Sequence, residues 1–107
     1  MATLFEITDA TFDQEILRAD VPALIDFGAP WCPPCRMIAP DVAKIAESFA
    51  GRVRVATCNI DNNPGLAERF SVMSVPMLLM IKDGNVVGQL IGAVPRAKIE
   101  ELVNKAL

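Results

Sequence analysis

The apolar positions of this chain change period along its length, and the changes mark its elements. A short strand is predicted over Leu4 to Ile7. Thr11-Phe12-Asp13-Gln14 then has the form of a capping box, predicting a helix with Phe12 and Ile16 on its inner side. Val21 to Phe27 is a near-continuous apolar run, as expected of a strand covered on both faces. Pro22 is tolerable near its start, where a ladder donor is not required. From Pro34 to Ala50, the residues Ile38, Val42, Ile45, Ala46 and Phe49 recur at helical spacing. Pro40 should kink that helix, because it lacks an amide and crowds the carbonyl of Arg36, and Gly51 ends it. Val53 to Ile60 reads as a third strand, and Asp61-Asn62-Asn63-Pro64-Gly65 starts a short helix through Phe70. Pro76 to Lys82, Asp83-Gly84 and Asn85 to Ile91 predict a hairpin with a turn-forming dipeptide. Pro95 opens a last helix whose inner face carries Ile99, Leu102, Val103 and Ala106. The order is βαβαβαββα. It implies an α/β fold: a central mixed five-stranded sheet flanked by four helices.

Composition adds bounds. At 107 residues the chain fits a single domain, 1–107, and 52% apolar content predicts a packed core rather than disorder. The net charge is −3 and the ten basic residues are scattered, so no phosphate-tracking surface is expected and nucleic acid is not an expected partner. No apolar run approaches the ~20 residues that span a bilayer. The N-terminus, from Met1 to Ile7, lacks a basic region and an apolar signal core, so no membrane association and a cytoplasmic location are expected. Three cysteines cannot all pair, which argues against a disulfide-scaffolded secreted domain. The absence of histidine excludes Cys-His and Ser-His catalysis, HExxH sites and mixed Cys/His zinc sites.

The chemistry concentrates in Trp31-Cys32-Pro33-Pro34-Cys35-Arg36, between the apolar strand and the long helix. Helical geometry sets residues i and i+3 about 5–6 Å apart on one face, a separation that a disulfide tolerates. The pair can open and close with little backbone movement. A loop this short stabilises the fold by only about 2 kcal/mol when closed, so electron exchange suits it better than stapling. A four-ligand zinc site would need a second pair, and only Cys58 remains. Cys58, in mid-strand, reads as a small buried apolar residue, and Met73, Met77 and Met80 as core or rim filler.

Cys32 falls at the helix N-terminus, where unpaired amides and the helix dipole favour an anion, and is expected on the outer, accessible side. It is the expected nucleophile. Cys35, one turn further in, is expected to be less accessible and to resolve a mixed disulfide. Neither Pro33 nor Pro34 can donate a hydrogen bond, which leaves the amides of Cys35 and Arg36 as donors to the Cys32 sulfur. Because Pro33 precedes a proline, the helix is expected to start at Pro34. Asp26 lies in an apolar strand, where burial raises a carboxyl pKa. On that pattern alone, a proton carrier and a strand-end Asp reaching solvent are both open.

This order resembles the thioredoxin family nearly end to end. The residues that carry the likeness are Asp26-Phe27, Trp31-Cys32 with Pro34-Cys35, Met37-Ile38-Ala39-Pro40, Asn59-Ile60-Asp61, Asn63-Pro64-Gly65, Val75-Pro76 and Gly92-Ala93. The chain departs from the family pattern at Pro33 (commonly glycine), Gly28 (tryptophan), Thr57 (lysine) and Met77 (threonine). WCPPCR is also similar to tryparedoxins and nucleoredoxins, which have longer chains.

The resemblance implies a thiol–disulfide oxidoreductase with the thioredoxin fold, cycling Cys32 and Cys35 between dithiol and disulfide. It makes Asp26 the acceptor of the Cys35 proton, and the loss of the lysine at Thr57 should leave Asp26 harder still to ionise. It makes the Val75–Pro76 bond cis and facing the disulfide, with Val75 offering its backbone to an extended substrate. Trp31, Pro34, Val75, Pro76, Gly92 and Ala93 would form a flat apolar docking surface. No bound cofactor or metal is implied beyond the redox-active disulfide. Electrons would come from a reductase, since the chain carries no glycine-rich dinucleotide motif. The other expected partners are disulfide-containing substrate proteins, and the chain is expected to act as a monomer. Three competing readings are a specialised single-partner donor in the manner of tryparedoxin, a non-catalytic binding module and, third, a metal-binding module.

Overall fold

The computed structural model describes residues 4–107. Its elements run β1 (Leu4–Glu6), α1 (Asp13–Leu17), β2 (Ala23–Gly28), α2 (Pro33–Ser48), β3 (Arg54–Asn59), α3 (Pro64–Arg69), β4 (Met77–Lys82), β5 (Asn85–Ile91) and α4 (Arg96–Asn104). This is the predicted order, and the five strands form one sheet in the order β1-β3-β2-β4-β5. β3 lies parallel to both β1 and β2, while β4 runs antiparallel to β2 and β5. The central strand β2 is buried from Ala23 to Phe27, which explains its unbroken apolar run.

Strand alternation sorts the core into two layers. Leu24, Val55, Leu78 and Met80 face α2 and α4, meeting Ile38, Val42, Ile45, Ile99, Leu102 and Val103. Ile25, Phe27, Ala56, Cys58, Met77 and Leu79 face the other way, onto Phe12, Ile16 and Leu66 of the α1 and α3 side. Asp83 and Gly84 both adopt positive φ (52° and 80°), as the two-residue turn between β4 and β5 requires.

Several local expectations are corrected. α1 is a five-residue π-type helix, closed by Arg18 N–H donating to the Asp13 carbonyl at 3.1 Å. Its cap lies earlier than Thr11-Gln14. The Thr8 and Thr11 hydroxyls each accept from the other's backbone N–H, at 3.2 and 2.9 Å, satisfying two donors reciprocally. β2 starts after Pro22 and runs through Gly28, while α2 stops at Ser48, two residues short of Ala50. α2 also begins at Pro33 rather than Pro34. The first helical amides have no acceptor within a helix, so two prolines in succession lose no bond there, and the extended residue is Cys32 (φ −102°, ψ 102°).

Candidate functional site

β2 and α2 bring the candidate residues together. The chain leaves the sheet at Gly28, turns through Ala29 and Pro30, and enters α2 with Cys32 as its N-cap. Arg36 braces this turn by donating to the Pro30 carbonyl at 2.7 Å. Cys32 and Cys35 are disulfide-bonded, with Cα atoms 5.3 Å apart, as the helical spacing predicts. The Cys35 N–H donates to Cys32 Sγ at 3.2 Å. The Arg36 N–H goes instead to the Cys32 carbonyl at 3.3 Å, as helix continuation demands, so one of the two expected donors to sulfur is otherwise engaged.

The accessibilities of the two cysteines are the reverse of the expectation. Cys32 is 2% exposed, whereas Cys35 is half-buried. Val75, distant in sequence, and Gly28, a few positions before the pair, cause this. The Val75 carbonyl oxygen lies 3.7 Å from Cys32 Sγ and covers it. Gly28 has no side chain to cover Cys35, and a Cβ built there would sit 3.4 Å from Cys35 Sγ.

The Val75–Pro76 peptide is cis and lies against the disulfide. Trp31 is 63% exposed, oriented by its Nε1–H donating to Asp61 Oδ2 at 3.0 Å. Ala93 is exposed, while Pro34, Val75 and Gly92 are half-buried. Pro76 itself is buried, its carbonyl accepting from Gly92 N–H at 2.9 Å, so it underlies the apolar patch rather than forming its surface. The sequence motifs include Asp61, three positions before the Pro64 that starts α3, but nothing in them signals its contact with Trp31. Met77 and Met80 are core, but Met73 is 94% exposed in the loop ahead of Val75.

Asp26 is 8% exposed, and its Oδ1 has no hydrogen-bond partner among the described residues. Burial pushes its carboxyl up to about 6. Its register partners are Thr57 on β3 and Leu78 on β4, neither able to offset its charge. Cys58 is free and buried, and its thiol is pushed up to about 11 by burial and by Asp9. A thiol so hard to ionise is inert at neutral pH. Asp9 itself caps α3 from across the chain, accepting from Gly65 N–H at 3.1 Å and Leu66 N–H at 2.8 Å. Asn63 holds Asp9 in place, accepting from its N–H at 2.9 Å. The Asn63-Pro64-Gly65 motif is thus structural. Among the described residues no cluster of three or more His, Cys, Asp or Glu could hold a metal ion, and no helix is long and apolar enough to cross a membrane.

Comparison with known proteins agrees with this geometry. The family model described as Thioredoxin matches residues 3–105. The chain is 43% identical to "Thioredoxin 1" of Nostoc sp. over 107 residues, 100% of both chains. It is 44% identical to "Thioredoxin" of Porphyra purpurea over 94% of each chain, and 41% identical to "Thioredoxin" of Haemophilus influenzae over 98% of each.

Proposed function

The chain belongs to the thioredoxin family and is a thiol–disulfide oxidoreductase, and we propose that Cys32 attacks, Cys35 resolves and Asp26 carries the proton. The observation that carries this reading is the N-cap position of the Cys32 sulfur, which accepts the Cys35 amide at the positive end of α2. A thiolate gains most there. In the reductive direction the Cys32 thiolate attacks a substrate disulfide, forming a mixed disulfide and releasing one substrate thiolate. The Cys35 thiol gives its proton to the Asp26 carboxylate and attacks the Cys32 sulfur. The Cys32–Cys35 disulfide forms and the second substrate sulfur leaves as thiolate, which takes up a proton. Two electrons have passed from the dithiol to the substrate.

Family membership implies a reductase as electron donor and protein disulfides as substrates. Neither the single-partner donor nor the non-catalytic module is favoured by these matches. An extended substrate segment would pair with the backbone at Val75 while apolar side chains rest on Trp31 and Ala93. The chain would act as one monomeric domain without a bound cofactor, in a reducing compartment such as the cytoplasm. The test is turnover on several unrelated protein disulfides with a chemical or enzymatic dithiol donor. Loss of turnover in Cys32→Ser and in Cys35→Ser supports the roles. Retained turnover in either variant contradicts them.

A further inference from the structure

Glu6, Thr57 and Asp26 occupy one rung of the sheet on adjacent strands β1, β3 and β2. Along this rung the exposure falls from exposed Glu6 through half-buried Thr57 to buried Asp26. A recess of about 180 Å³ follows the same line. Glu6 and Asn59 stand among its walls, as do Thr57 and Gly28, and Asp26 lies at its buried end. A single water needs only about 10–15 Å³ of such space, so the recess has room for several. None of its lining residues is basic, and none belongs to the docking patch of Trp31, Val75 and Ala93.

Two small residues keep this recess open. A lysine or other long side chain at Thr57 would lie across it. A bulky side chain at Gly28 would fill it and cover Cys35, whose sulfur is 3.4 Å from the Cβ position. We propose that Gly28 and Thr57 form a water-filled proton port that joins Asp26 to bulk solvent through a recess separate from the docking patch, with Glu6 as the acceptor at its mouth. When a partner covers Trp31 and Val75, the front of the disulfide is sealed. The proton that Asp26 takes from Cys35 then leaves through water in the recess to the Glu6 carboxylate or to bulk. The titratable groups around Asp26 and its recess are Glu6 on β1, the Cys58 thiol on β3 and the cysteine pair on α2; the direct register partners, Thr57 on β3 and Leu78 on β4, carry no charge. The inference rests on Asp26 being the proton carrier.

The test separates the two steps. Reduced protein is mixed with a folded protein substrate whose cysteine carries an aromatic thiol in mixed disulfide. Cys32 attack releases the aromatic thiol and leaves the substrate docked over Trp31 and Val75. Cys35 resolution then releases the substrate thiol, read by Trp31 fluorescence. The ratio of second to first release rate is followed by stopped flow from pH 5 to 8. In Thr57→Leu and Gly28→Val, which narrow the recess, the ratio is expected to fall by roughly tenfold at pH 6, a part of the ~10²–10⁴-fold typical of general acid–base help. Its pH midpoint is expected to move upward, a change that mere loss of packing would not give. Glu6→Gln, a surface change that tests the port should the other two fail to fold, is expected to lower the ratio in the same direction. Wild-type ratio and midpoint in the folded variants overturn the port. Asp26→Asn is run beside them. If it too leaves the ratio unchanged, the proton-carrier role fails and the port with it. If it lowers the ratio while the port variants do not, the port alone fails.

Discussion

Asp26 and Thr57 stand opposite each other on β2 and β3, yet Asp26 Oδ1 accepts no hydrogen bond from Thr57 or from any other of the described residues. A buried carboxylate with an unpaired oxygen is held at a cost, and that cost falls on stability. The strand pattern alone left a buried acid and a strand-end Asp reaching solvent both open; the structure buries it, and the register shows that its neighbour offers no compensating charge.

The pH dependence of stability follows from this carboxyl. Asp26 titrates near the ordinary carboxyl value of 3.8 when unfolded and at about 6 when folded, so between these values the folded state binds more protons. Stability contributed by protonated Asp26 is fully present below about pH 4 and is lost as pH rises through about 6. The loss is on the order of 3 kcal/mol for a shift of this size. Asp26→Asn is therefore expected to be more stable than wild type at pH 7, by about 2 kcal/mol once the cost of an unpaired buried amide is allowed for. Urea unfolding at pH 4 and pH 7 checks it, and the advantage should disappear at the lower pH.

Asp61 fixes Trp31 through one exposed hydrogen bond. Asp61→Ala frees the indole without touching the disulfide, which predicts weaker docking with little change in the chemical step. A bond of this kind contributes about 0.5–1.5 kcal/mol, so KM for a protein disulfide should rise roughly twofold to tenfold while kcat holds. Steady-state kinetics on such a substrate, together with a change in Trp31 fluorescence, test it.

Gly88 on β5 lets α4 pack closely. A Cβ there would meet Leu102 Cδ1 at 2.6 Å, in the core layer that also holds Ile99 and Val103. Gly88→Ala should displace the Leu102 side chain and destabilise the fold by about 1–2 kcal/mol. Denaturant midpoints measure it, and Gly88→Ala/Leu102→Ala should show a smaller loss than the two single changes summed.

Cys58 should take no part in thiol chemistry of the folded protein. Under mild alkylation at pH 7, the reduced chain is expected to be modified at the active-site pair and to take up the label at Cys58 only after unfolding. Peptide mass mapping with and without denaturant reads this out.

Much of the fold was legible because it rests on periodicity. The unbroken apolar run of β2, the helical spacing of Ile38, Val42 and Ile45, and the Asp83-Gly84 turn each reflect local physics. The CxxC spacing likewise foretold the 5.3 Å Cα separation. What escaped depends on residues far apart in the chain. Thr8-x-x-Thr11 and Thr11-x-x-Gln14 both look like caps, and only the first closes. The carboxylate that caps α3 comes from Asp9, more than fifty positions earlier than its acceptor-seeking amides. The exposure of the cysteines was misjudged for the same reason. It is set by Val75, brought in from the loop just ahead of β4, and by the side chain that Gly28 lacks.

That reversed exposure makes the attacking sulfur the point to test first. Cys35→Ser, reduced and mixed with a disulfide-bearing protein, should stall as a stable mixed disulfide whose bond mass spectrometry locates at Cys32, while Cys32→Ser traps little. An adduct that forms faster on Cys35 in Cys32→Ser than on Cys32 in Cys35→Ser would contradict the account, and would assign the attack to the more exposed cysteine.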